Sequence, residues 1–202
     1  MTVRTLLPAD LDIAVELLAT GAIVAIPTDT VYGLAARLDD PMAVASLFEV
    51  KRRPAHVPVA ILVCDDEAAQ GLAALWPRTA ERLAKRFWPG PLTVVVAAEP
   101  ALTERVRSDR GVGVRVPADE LCLELLRRAG PLAVTSANLH GDSPAHAAQD
   151  VVGAFAGSAV AAVLDAGRRD GTVSTVVDLS SGGVTVVRVG AISSDEVHAA
   201  IS

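Results

Sequence analysis

Short unbroken apolar runs alternate along this chain with stretches in which apolar residues recur at helical spacing. Ala22–Ile26 is apolar throughout and stops at Pro27, the pattern of a strand buried on both faces. Val59–Val63, Leu92–Ala97, Gly111–Val116, Leu132–Val134 and Val160–Leu164 repeat it. Ser174–Leu179 and Val184–Val189 follow, joined by Ser181-Gly182-Gly183, which has the composition of a hairpin turn. Helical signals fill the gaps. Asp10 is placed to cap a helix through Leu11, Val15 and Leu18 that stops at Gly21, and Asp40-Pro41 opens a second through Val44, Leu47 and Phe48. Asp66–Leu75 and Arg78–Phe87 flank Trp76-Pro77, Asp119–Ala129 closes on Gly130, and Ser193 caps a last helix. This alternation predicts a single α/β domain over residues 1–202, a twisted sheet of about seven strands flanked by about six helices. The sheet should be mixed, because the late hairpin is antiparallel.

Composition narrows the setting. The 202 residues are 51 % hydrophobic but only 3 % aromatic, so the core is aliphatic. A chain of this length buries roughly 70 % of its unfolded surface and needs no staple. A net charge of −6 argues against an all-over nucleic-acid coat, while a local basic cleft stays open. Cys64 and Cys122 lie far apart and the histidines show no ligand spacing, which excludes a zinc motif and suits a reducing compartment. The acidic start (Asp10, Asp12, Glu16) does not read as a signal peptide, and no apolar run approaches the ~18 residues of a membrane span. The expected location is cytoplasmic.

Polar residues gather just after several strands, where open α/β sheets place a ligand crevice. Pro27-Thr28-Asp29-Thr30-Val31-Tyr32-Gly33-Leu34 puts hydroxyls, a carboxylate and the single tyrosine after a buried strand, though Asp and Thr also simply build turns. Lys51-Arg52-Arg53-Pro54 is the densest positive charge, either a solvated helix end or a cationic entry to the next strand. Thr135-Ser136-Ala137-Asn138 offers small donors for a phosphate or ribose, or forms a capping loop. Arg115, inside an apolar strand, either pairs with a structural carboxylate or awaits an anion, and Ser174 and Arg188 pose the same question. The sequence shows no obvious carboxylate for Arg115, since Asp109 and Asp119 lie outside its strand. P-loop, dinucleotide, serine-elbow and zinc-protease motifs are all missing. What remains is an anion pocket of arginines, a lysine and hydroxyls, suited to a nucleotide phosphate or a small carboxylate.

Seven segments in order resemble the YrdC-type family, the threonylcarbamoyl-adenylate synthases of the TsaC group. They are Pro27–Leu34, Lys51–Pro54, Phe87-Trp88-Pro89-Gly90-Pro91-Leu92-Thr93, Val114-Arg115-Val116-Pro117, Ser136-Ala137-Asn138, Ser174–Asp178 and Arg188-x-Gly190. The resemblance implies a YrdC-like domain with a large basic cavity. It implies condensation of ATP, L-threonine and bicarbonate into threonylcarbamoyl-AMP with release of pyrophosphate. A tRNA-modifying transferase complex would then use the product for threonylcarbamoyladenosine. By the same resemblance Lys51 and Arg53 are the catalytic cations. Arg53, Ser136, Asn138 and Arg188 would hold ATP, and Thr30, Tyr32, Arg115 and Ser174 would hold L-threonine. Mg²⁺ is expected to arrive on the ATP, with no metal site on the protein. Three positions depart from the common pattern: Val57 where Asn is usual, Leu62 where His is usual, and His140-Gly141 where Ser-Gly is usual. Two other readings stay open. One is an RNA- or ribosome-binding module with weak RNA binding in the basic cavity; the other is a paralogue that forms carbamoyl-adenylate.

Overall fold

The computed structural model describes residues 2–52, 58–106, 108 and 111–202. Among these, ten strands and eight α-helices follow in chain order. They are β1 (Arg4–Leu6), α1 (Leu11–Ala19), β2 (Ile23–Ile26), β3 (Gly33–Arg37), α2 (Pro41–Val50), β4 (Ala60–Leu62), α3 (Asp66–Gln70), α4 (Arg78–Phe87), β5 (Leu92–Val96) and α5 (Pro100–Arg105). Then come β6 (Val112–Arg115), α6 (Glu120–Ala129), β7 (Leu132–Ser136), α7 (Ala148–Ala154), β8 (Val160–Leu164), β9 (Thr175–Asp178), β10 (Thr185–Arg188) and α8 (Ser194–Ile201). All ten strands join one sheet in the order β1-β8-β2-β3-β7-β4-β6-β5-β9-β10.

The sheet is mixed. Four pairs are parallel (β1 with β8, β2 with β8, β4 with β6, β5 with β9) and the rest antiparallel, including the expected β9–β10 hairpin. Period-two alternation divides its side chains between two cores. Val24 and Ile26 of β2 face the cluster under α1 and α6, with Leu11, Ala14, Leu18, Leu125 and Leu126. Ile23 and Ala25 face the other cluster, where α2, α4, α7 and α8 bury Leu47, Phe48, Leu83, Val151 and Val197. No helix among the described residues is long and apolar enough to cross a membrane.

The structure exceeds the expected count of strands and helices for physical reasons. β3 begins in the last two residues of the Pro27–Leu34 segment and runs three residues past it. Its Gly33-Leu34-Ala35-Ala36 has little intrinsic strand preference and is extended because it pairs antiparallel with both β2 and β7. β1 is a three-residue edge strand that exists only through its pairing with β8. α5 and α7 are six- and seven-residue helices too short to show a period. α3 stops at Gln70 instead of reaching Leu75. Capping was legible in part: the Asp40 carboxylate accepts from Met42 N at 2.9 Å and Ala43 N at 3.1 Å, ahead of Pro41. Asp10 behaves otherwise. Its carboxylate turns back to Leu7 N at 2.9 Å and leaves α1 without a side-chain cap.

Candidate functional site

A cavity of about 220 Å³ lies on one face of the sheet. Its floor takes alternate residues from neighbouring strands: Ala60 and Leu62, Gly113 and Arg115, Thr93 and Val95, Val134 and Ser136. Leu62 and Val134 also belong to the core under α1 and α6, so the cavity opens on that face. The pocket therefore spans the sheet face, not only the strand ends where the polar clusters pointed. Its volume suits an amino acid and falls short of the roughly 300–1,000 Å³ typical of drug-sized ligands.

Arg115 ends β6 and is 6 % exposed. Its Nε donates to Gly90 O at 2.9 Å, its Nη1 to Thr30 Oγ1 at 3.2 Å, and its Nη2 to Asp29 Oδ1 at 2.6 Å. Asp29 is the carboxylate that the sequence did not reveal for it, brought across from the β2–β3 turn. Burial lowers the Arg115 pKa and the Asp29 charge opposes that shift. Three of the five guanidinium donors are engaged, which leaves two for a ligand. The turn is rigid. Thr28 donates to Val31 O at 2.6 Å, so its hydroxyl accepts from Thr30, 3.0 Å away. Gly90 has no room for a side chain, because a Cβ there would stand 2.3 Å from Phe87 O.

Further lining comes from the β9–β10 hairpin. β10 bulges at Val187, so Val186 faces Val177 while Arg188 faces Val176. The extra residue shifts Arg188 by one position and so decides which sheet face it takes. Its Nε and Nη2 donate to Ser174 O at 3.0 and 2.8 Å, and Nη2 also reaches Ser174 Oγ at 3.0 Å. Ser174 Oγ lies 3.0 Å from Thr93 Oγ1, a contact created by the parallel β5–β9 pairing. Arg188 has no carboxylate partner among the described residues. The residue is accessible to solvent, yet its pKa is lowered by partial burial of the head and by the charge of Arg115. Two cations thus line one cavity, and of the two only Arg115 has a carboxylate partner among the described residues.

Lys51 stands one layer back, 2 % exposed. Its Nζ approaches Ser136 O at 2.5 Å, Ser136 Oγ at 3.1 Å, Asn138 O at 3.1 Å and Asn138 Oδ1 at 2.8 Å. Ser136 Oγ donates to Asn138 Oδ1 at 2.7 Å, and Asn138 Nδ2 donates to Leu139 O and Asp142 O. Ser136 lines the cavity; Lys51 and Asn138 do not, and their hydrogen bonds brace the loop behind it. Tyr32 is among the residues that line the cavity, and its hydroxyl donates to Gly167 O at 2.7 Å and accepts from Ala166 N at 3.1 Å. Burial raises its pKa. Tyr32 therefore ties down the strap 165–174 that delivers Ser174. Arg169 of that strap binds Asp119, the cap of α6, at 2.9 Å.

The structure thus gathers Thr30, Tyr32, Arg115, Ser136, Ser174 and Arg188 around one space. Arg53 and Val57 lie outside the described residues. Leu62 lines the cavity, and His140 N donates to Lys51 O away from it. Asp29, Thr93 and Arg169 were not singled out as site residues, although the first two sit inside the quoted segments.

A family described as telomere recombination, comprising Sua5, YciO and YrdC proteins, matches residues 16–190. The chain belongs to this family. A Mycobacterium tuberculosis relative is 38 % identical over 186 residues, 91 % of this chain and 85 % of its own length. The threonylcarbamoyl-AMP synthase of Pyrococcus abyssi is 38 % identical over 192 residues, which are 94 % of this chain but 56 % of the relative. Pyrococcus abyssi Sua5, solved in complex with L-threonine, superposes with a TM-score of 0.92 at 35 % identity. That superposition covers 100 % of this chain and 61 % of the solved one. The fold is thus shared with that structure, and this chain spans only part of the length of the Pyrococcus abyssi relative.

Proposed function

We propose that this protein is an L-threonylcarbamoyladenylate synthase that converts ATP, L-threonine and bicarbonate into threonylcarbamoyl-AMP and pyrophosphate for tRNA modification. The observation that carries the reading is one cavity lined by Arg115 with the Thr30 hydroxyl and by Arg188 with the Ser174 hydroxyl. The relative solved with L-threonine supports the same substrate. In this reading the neutral threonine amine condenses with bicarbonate, a C–N bond forms as a C–O bond breaks and water leaves, and the molecule becomes a dianion of carboxylate and carbamate. A carbamate oxygen then attacks the α-phosphorus in line. A new P–O bond forms, the bond to the β-phosphate breaks, and pyrophosphate leaves with the electron pair. Every reactant is anionic, so the site contributes fixed cations and donors instead of a strong base.

Arg115 offers its two remaining donors to the threonine carboxylate, and Ser174 orients the same molecule. Arg188 faces the triphosphate, with Lys51 stiffening the Ser136–Asn138 loop at the nucleotide side. Arg53 completes the cationic set. The cavity is too small for ATP as well, so the nucleotide extends beyond it, and its Mg²⁺ arrives as part of the substrate. The test is incubation with ATP, Mg²⁺, bicarbonate and labelled L-threonine. Threonylcarbamoyl-AMP and pyrophosphate should appear together and need every component. Absence of labelled adenylate from an active-fold preparation would overturn the reading.

A further inference from the structure

The proposed reaction leaves Asp29 without a task, although its position is unusual. Its side chain is 13 % exposed and that of Arg115 is 7 %, so the pair is largely withdrawn from water. An ion pair in that setting is a poor source of stability, because desolvation offsets most of the attraction. It does fix geometry. The guanidinium is held at three corners by Asp29, Gly90 O and Thr30, so its plane cannot rotate. The backbone of Asp29 is clamped in turn. Gly171 of the strap packs so closely that a Cβ would stand 2.6 Å from Asp29 O and 2.7 Å from Thr30 Cα. Charge adds a second reason. Arg188 enters the same cavity without a carboxylate partner among the described residues, and Asp29 offsets the cation it faces.

We propose that Asp29 is a positioning residue: it holds the Arg115 guanidinium in one orientation and offsets its charge against Arg188, so that the remaining donors of Arg115 meet a substrate carboxylate pre-aligned. This rests on the reading of the cavity as the L-threonine site. Asp29 acts through Arg115 and does not touch the substrate. The Asp29→Asn variant keeps the shape and one acceptor while removing the charge. It should weaken L-threonine by about tenfold, the effect of one charge-assisted contact, and leave the KM for ATP near wild type.

The deciding measurement is calorimetric titration of L-threonine into the full chain as wild type, Asp29→Asn, Arg115→Ala and the double variant. If Asp29 acts through Arg115, Asp29→Asn loses its effect in the Arg115→Ala background. An equal loss in both backgrounds would mean direct contact with the substrate and overturn the positioning role. A fall in melting temperature with threonine and ATP weakened alike would make Asp29 merely structural and overturn it too. Wild type that binds no threonine would sink both this inference and the function, whereas unchanged threonine binding by Asp29→Asn would sink this inference alone. Should Asp29→Asn not fold, Asp29→Glu keeps the charge and moves it by one methylene. It should weaken threonine while sparing ATP, and wild-type affinity there would refute the geometric argument.

Discussion

At the residue scale the site is organised by pairs of polar groups that lie far apart in the chain. Arg115 and Asp29 are 86 positions apart, as Lys51 and Asn138 are 87 apart. A polar residue in an apolar strand announces that it needs a partner, since unpaired burial is costly. It does not announce which one. Tyr32 shows the same logic and can be followed directly, because it is the single tyrosine of the chain. Burial raises its pKa above the ordinary value near 10, so the folded state favours the neutral phenol. The stability it contributes is complete below the unfolded pKa and is lost as pH rises through the higher folded pKa. Phenolate absorbance of the folded protein should therefore rise only above pH ~10. A midpoint at or below the free-tyrosine value in folded protein would contradict the buried hydroxyl bonds to Gly167 and Ala166.

At the element scale, long periodic segments were readable and short ones were not. α4 and α6 fall where the apolar spacing places them, because their burial repeats often enough to leave a period, and β8 falls on the unbroken apolar run Val160–Leu164. β3 and β1 are strands by virtue of their neighbours. The bulge at Val187 left no mark in Val184–Val189, yet it aims Arg188. The strap 165–174 has no regular structure and is held by its contacts instead, Tyr32 at one end and the close approach of Gly171 to the Asp29–Thr30 backbone in the middle. Gly171→Ala should force that contact apart. Overpacking of this kind costs about 1–3 kcal/mol, and each kcal/mol lowers the melting temperature by about 2–4 °C at this size. Threonine affinity should fall with it, because Asp29 moves. An alanine variant with wild-type melting and wild-type threonine binding would show that the strap yields freely.

At the scale of the whole molecule, the cavity links two walls built from separate parts of the chain, so a ligand that bridges them should stabilise the fold. L-Threonine at about a hundred times its Kd should add about 2.7 kcal/mol by linkage. ATP and threonine together should raise the melting temperature more than either alone, as scanning calorimetry would show; no shift with either would mean that the cavity binds neither. The alternation of apolar runs and helical spacings determined the α/β class and the mixed hairpin, because burial on two faces and on one face write different periods. The ordered polar segments determined which residues were chemically notable. Only the tertiary structure decided how they combine. Pairing of β5 with β9 set Thr93 against Ser174, the β2–β3 turn carried Asp29 to Arg115, and Lys51 was drawn behind Ser136. Those choices depend on strand order and register, which are set by contacts between distant segments and leave no local trace along the chain.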